Sequence, residues 1–248
     1  MRWRYWKQRL EQNTHRPIPE TEAPEGLTEP QRALVLRSLR EFQLGEAGEG
    51  RVAHEIDHVS WPGVDADFRA LIKLWVREEG RHARILGHMV KGMGGTLLTR
   101  HWSTGGFTAL RRLLGVRFKL LVALGAEVAG TVFYGLLARA LPRGPLAAAL
   151  GELEQDEWAH LQFQSEIFGM FGRWSPAYAL IQAGWFACAL GVSVLVWSQH
   201  AATLASLGVP RARTALELWR CSTSVARKIR EARQGTPAPV LVSLGGAP

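Results

Sequence analysis

Two segments of this chain carry the same short word behind an acid, Glu78-Glu79-Gly80-Arg81-His82 and Asp156-Glu157-Trp158-Ala159-His160, and both lie inside long apolar-periodic stretches. On a helix, residues three apart share a face, so each word sets a carboxylate beside an imidazole, a pair able to offer two ligands to one metal ion. A fold that accepts both words must be helical there and must give the buried acids a counter-charge. A third copy, Glu55-Ile56-Asp57-His58, shows that the bare spacing also arises by chance. The other two are set apart by context: Glu127 precedes Glu157 by 30 residues, and Glu49 precedes Glu79 by the same interval.

The rest of the chain predicts an all-α fold. Its 248 residues are enough for one large domain with a sizeable core. Apolar residues make up 47%, β-branched runs are sparse, and no alternating pattern or hairpin signal appears, so the Ala/Leu/Gly-rich stretches read as buried helices. Thr28-Glu29-Pro30-Gln31 has the form of a capping box with an early proline, opening a first helix to about Asp57. Trp61-Pro62-Gly63 breaks it. A second helix is expected from about Asp65 to Met93, ended by Gly94-Gly95, and a loop from Thr96 to Phe107 follows. A third helix runs from about Leu110 to Leu141 and a fourth from Leu146 to about Phe171, with Pro142-Arg143-Gly144-Pro145 between them. Short connections of this kind make antiparallel neighbours.

Charge is placed at the ends. Residues 1–17 hold five Arg/Lys against one Glu and residues 211–248 hold seven against two, while the middle is nearly neutral. Residues 1–27 read as a basic arm. Trp3, Tyr5, Trp6 and Trp219 interleave with the basic residues, a pattern that suits an anionic membrane surface; nucleic acid would accept the same charge and ranks below it. Solvated tails are the plain alternative. From Ser175 to Pro210 there is no Asp, Glu, Lys or Arg in 36 residues, and Tyr178 to Trp197 is apolar apart from Gln182 and Ser193. That segment fits a buried or membrane-surface helix, and its length also fits a bilayer span with the arginines after it on the cytoplasmic side. An amphipathic helix from about Arg213 to Ala232 and a disordered Gly/Pro tail from Gly235 complete the reading. The divisions are thus 1–27, 28–173 for the two-metal bundle, 174–234 for the apolar and amphipathic helices, and 235–248. Cys188 and Cys221 have no metal-like spacing and read as reduced thiols, and the basic N-terminus lacks the apolar core of a secretory signal. These features predict a cytoplasmic protein, peripheral or integral at the membrane.

Carboxylates are the chemistry a two-metal centre needs, being hard, anionic and able to bridge two cations, and a limited number of imidazoles leaves positions open. Glu79 and Glu157 are the candidate bridging ligands, and His82 and His160 the candidate imidazoles. Glu127 is the only charge between Leu120 and Leu137, which makes it the candidate terminal ligand of the third helix. The first helix offers Glu46 or Glu49: the 30-residue repeat favours Glu49 and the Gly45-Glu46 step favours Glu46. Glu78 and Asp156, four residues before each histidine, are candidates to accept an imidazole N–H; pairing with Arg77 or Arg81 is the alternative.

Glu-Glu-Gly-Arg-His-Ala-Arg-Ile-Leu at 78–86, Asp-Glu-Trp-Ala-His at 156–160 and Glu127 between them resemble the ferritin-like di-iron carboxylate superfamily over about residues 40–170. The nearest likeness is to soluble acyl-acyl-carrier-protein desaturases and to membrane-associated di-iron oxidases. The resemblance implies a ferritin-like four-helix bundle with additional C-terminal helices. It also implies two iron ions, with manganese open by ligand type, and oxygen activation beside a hydrophobic acyl or lipid-like substrate, free or carrier-bound. Those desaturases place a threonine three residues after the third-helix ligand; here that position is Gly130, and Thr131 stands next to it as a candidate for the oxygen pocket. No flavin, nicotinamide or iron–sulfur motif is present, so electrons are expected from a separate ferredoxin-like or reductase-like donor. The alternatives are a rubrerythrin-like peroxide or iron-handling protein and a non-enzymatic helical protein of the membrane surface. Oligomeric state is left open by the sequence.

Overall fold

The computed structural model describes residues 2–47, 50–99, 115–173 and 178–235. All regular structure among them is helical. The helices are α1 (Arg2–Asn13), α2 (Glu29–Glu46), α3 (Gly50–Glu55) followed by a 3₁₀ turn (Ile56–His58), α4 (Ala66–Gly92), α5 (Gly115–Ala140), α6 (Pro145–Arg173), α7 (Tyr178–Ser206) and α8 (Arg211–Gln234). By packing, the chain divides into two compact units, Met1–Lys119 with Pro142–Ala149, and Leu120–Leu141 with Leu150–Pro248.

In the first unit, α1, α2 and α3 pack on α4. The capping box is present: Gln31 N–H donates to the Thr28 hydroxyl at 3.5 Å and Thr28 N–H donates to the Gln31 side chain at 3.0 Å. Asp65 caps α4 by accepting from Phe68 N–H at 2.8 Å. At the other end of α4, Gly94 takes φ +78°. Its N–H donates to the Lys91 carbonyl and that of Gly95 to the Val90 carbonyl, both at 2.9 Å. This is the Schellman closure that glycine makes cheaply.

Two expectations change here. The first helix does not run unbroken to Asp57; α2 ends at Glu46 and a short helix restarts at Gly50. The basic N-terminal segment is not an arm laid against an outside surface. Trp3, Trp6 and Leu10, spaced at helical intervals, form one buried face of α1. Trp3 stacks edge-on against Phe68 at 5.1 Å and donates its indole N–H to the Gly63 carbonyl at 3.1 Å. Arg4, Lys7 and Arg9 lie off that face, and Lys7 and Arg4 reach Asp67. The cation–indole pattern is therefore that of an amphipathic helix on its own core, and only Tyr5 among the three aromatics is exposed. The loop expected at 96–107 lies outside the described residues beyond position 99, as does the tail beyond Gly235.

In the second unit, α7 and α8 form an antiparallel hairpin. Arg233 lies over the Tyr178 ring at 4.1 Å, Trp185 donates to the Ser222 carbonyl at 3.1 Å, and Arg211 lies over the Trp197 ring at 5.8 Å. Small residues let backbones approach. A Cβ on Gly125 of α5 would meet Cys188 Sγ and Val192 Cγ2 at 3.0 Å, and one on Gly169 of α6 would sit 2.5 Å from Ala232 Cβ and 2.9 Å from α8 backbone. Backbone cannot yield as a flexible side chain can. Gly169→Ala is therefore expected to lower stability by about 1–3 kcal/mol, a shift that urea titration will read. Gly151→Ala, where a Cβ meets nothing within 4 Å, should instead stabilise the helix by up to about 1 kcal/mol. Cys188 and Cys221 are free thiols, and burial pushes them up to about 11 and about 12, so neither forms a thiolate near neutral pH.

Candidate metal centre

Each helix word brings its own half. On α4, Glu79 and His82 are buried with Nδ1 of the histidine 4.0 Å from the carboxylate. Burial of the charged word is organised by its neighbours. Arg81, also buried, donates to the carbonyls of Arg16 at 3.4 Å and Pro17 at 2.8 Å, tying the chain after α1 to α4. Glu78 accepts from Asn13 at 2.8 Å and from Arg16 at 3.3 Å. Four residues of the five-residue word are thus buried, and the N-terminal helix and the chain just after it supply partners for Glu78 and Arg81.

In the second unit, α5 and α6 bring together Glu127, Glu157 and His160, all buried. His160 Nδ1 lies 3.1 Å from a Glu127 oxygen and 3.6 Å from a Glu157 oxygen. Gln164, one turn beyond His160, donates to the other Glu127 oxygen at 2.6 Å. Thr131 is buried and its hydroxyl donates to the Glu127 backbone carbonyl at 2.7 Å, one helical turn back. A Cβ at Gly130 would stand 3.3 Å from the Glu157 carboxyl carbon, so glycine here leaves room for that side chain.

The electrostatics of this trio are severe. Glu127 is pushed up from 4.5 to about 8, chiefly by desolvation, then by the Glu157 charge and by a hydrogen bond that places a proton between the two carboxyls; His160 pulls the other way. Two acids forced together in a dry interior carry either a proton or a cation. Glu79 with His82 in the first unit, and Glu157 with His160 in the second, are each a buried carboxylate–imidazole pair able to offer ligands to a metal ion. Hard carboxylate oxygens with neutral imidazoles suit a divalent iron, manganese or zinc ion, so the donor set fits a metal.

Other candidates are placed as follows. Glu46 is the last residue of α2 and is half-buried, while Glu49 lies outside the described residues. Glu78 and Asp156 are buried, and Glu78 has the N-terminal partners already described. The residues that sequence reasoning missed are Gln164, Asn13 and Arg16. Gln164 carried one signal, its position four residues after His160 and so on the same helix face. Comparison with protein-family models, with curated proteins and with solved structures finds no match to this chain.

Proposed function

We propose that the chain is a di-iron oxidase or oxygenase of ferritin-like architecture, a desaturase or hydroxylase acting on a hydrophobic acyl or lipid-like substrate. One observation carries the reading: two buried carboxyls, Glu127 and Glu157, crowd one imidazole in a setting that raises Glu127 to about 8. Structural acids are ordinarily paired with Lys or Arg; these are paired with each other and with a histidine, which is an arrangement that a divalent cation stabilises. Glu79, His82, Glu157 and His160 would be the core ligands, Glu127 a terminal one, and Glu46 or Glu49 the ligand from the first helix. Iron is favoured over manganese by the likeness of the two words to di-iron desaturases.

When bound, the metals would supply electron transfer to O₂. The chain's own part is to hold their ligands and keep water out. Gln164 fixes one oxygen of Glu127 by its 2.6 Å hydrogen bond, leaving the other toward His160. Phe133, Tyr134, Phe163 and Ile167 are buried in the same unit and make its interior apolar, as a hydrophobic substrate requires. Electrons would come from a separate ferredoxin-like or reductase-like donor.

The test is a single turnover. Protein loaded anaerobically with Fe(II) is mixed with O₂ and a long-chain acyl thioester, and product is read by mass spectrometry. The expected result is O₂ uptake with loss of two hydrogens or gain of one oxygen by the acyl chain. Iron-loaded protein that takes up no O₂ overturns the oxidase reading. Rapid peroxide consumption with no organic product would move the assignment to a rubrerythrin-like peroxide or iron-handling role.

A further inference from the structure

Two helices are long and apolar enough to cross a membrane, and they are used differently. In the most apolar stretch of α5, 89% of residues are buried, as in any core helix; in that of α7 only 22% are. The uncovered side of α7 is continuous. Leu180 (72% exposed), Phe186 (42%), Leu190 (67%), Val194 (58%) and Trp197 (44%) recur at three- to six-residue intervals, an apolar stripe about 25 Å long at helical rise. Between it and α8 runs an apolar groove of about 280 Å³, whose α8 wall includes Leu218 and Trp219, the latter 62% exposed. A patch of this extent on a soluble protein marks an interaction site.

We infer that this α7–α8 face seats in the surface leaflet of an anionic phospholipid bilayer, lying in the interface without crossing it. The occupant is identified by charge complementarity. The α8 helix exposes Arg211, Arg213, Arg220, Arg227, Arg230 and Arg233, and Trp197 and Trp219 stand at the border of apolar and cationic surface, Arg211 lying over the Trp197 ring at 5.8 Å. Indoles and arginines in this arrangement match headgroup depth, with the aliphatic stripe below. A span is excluded by the hairpin itself. Contacts at Tyr178–Arg233, Trp185–Ser222 and Trp197–Arg211 hold α8 against α7 from Tyr178 to Trp197, so carrying α7 through hydrocarbon would drag the arginine-bearing helix with it. The inference rests on these two helices alone and is independent of the metal centre.

Full-length protein should co-sediment with vesicles containing phosphatidylglycerol at least about tenfold more tightly than with phosphatidylcholine alone, and less tightly as salt rises. Leu190→Glu with Val194→Glu changes two exposed side chains, so helicity by circular dichroism should be kept while vesicle binding falls by about tenfold or more. The inference is overturned if wild type stays in the supernatant, if the double variant sediments like wild type, or if the variant merely splits a dimer. It is also overturned if residues beyond Gln234 become protease-protected inside sealed vesicles, or if vesicle binding appears only after residues 236–248 are deleted. A nucleic-acid surface would use the arginines and be indifferent to Leu190 and Val194, so oligonucleotide binding unchanged in the variant, with no vesicle binding, overturns it as well.

Discussion

Glu127→Gln should make the metal-free protein more stable than wild type at pH 8 while weakening its hold on iron by more than about a hundredfold. The two effects have one cause. Glu127 is raised from 4.5 to about 8 in the folded chain by burial and by Glu157. A carboxyl with a folded value above its unfolded one binds its proton more tightly when folded. Its favourable contribution is complete below about 4.5 and is lost as pH rises through about 8. The apo protein therefore carries a penalty at alkaline pH on the order of 4 kcal/mol, and the neutral amide never acquires it. Urea titrations of chelator-treated protein at pH 5 and pH 8 will read this. Wild type should lose stability between them by more than the variant, and Fe(II) should restore wild type alone. Parallel losses in both proteins would mean that Glu127 is accommodated without needing a cation.

Glu157→Ala combined with His160→Ala is the second large effect. Both side chains are buried, and each lies against Glu127. Loss of one outer partner of a metal ligand costs 10–100-fold in affinity, so loss of two ligands should cost more than about a thousandfold. Equilibrium dialysis against Fe(II) should find no tight binding in the variant. Folding need not fail with it, because removing Glu157 also removes its like-charge repulsion of Glu127, which offsets the lost His160 contact. Retained helicity with lost metal is the expected pair of results; retained metal would place the centre elsewhere.

The helices were legible because their ends carry chemistry. Thr28 and Gln31 form the box that their spacing announces, and Gly94-Gly95 close α4 where the repeat of apolar residues stops. Glu127 was legible for the opposite reason, as a lone charge in a run that could only be buried. The break after Glu46 had a signal that was passed over, since Gly45, Gly48 and Gly50 weaken a helix there. In α1 the signal was present and outweighed: Trp3, Trp6 and Leu10 share a face, yet five basic residues among the first 17 pointed toward an external anion. Gln164 was hidden because a polar partner of a buried acid leaves no periodicity. For α7, composition could not distinguish a core helix from a surface one. Its exposed stripe and its pairing with α8 come only from packing.

Anaerobic titration of the purified chain with Fe(II), followed by metal analysis after desalting, tells a two-metal centre from a set of structural acids. About two irons should be retained per chain, and near none in the Glu157→Ala, His160→Ala variant. Wild-type protein that stays folded and retains no more iron than that variant would contradict it.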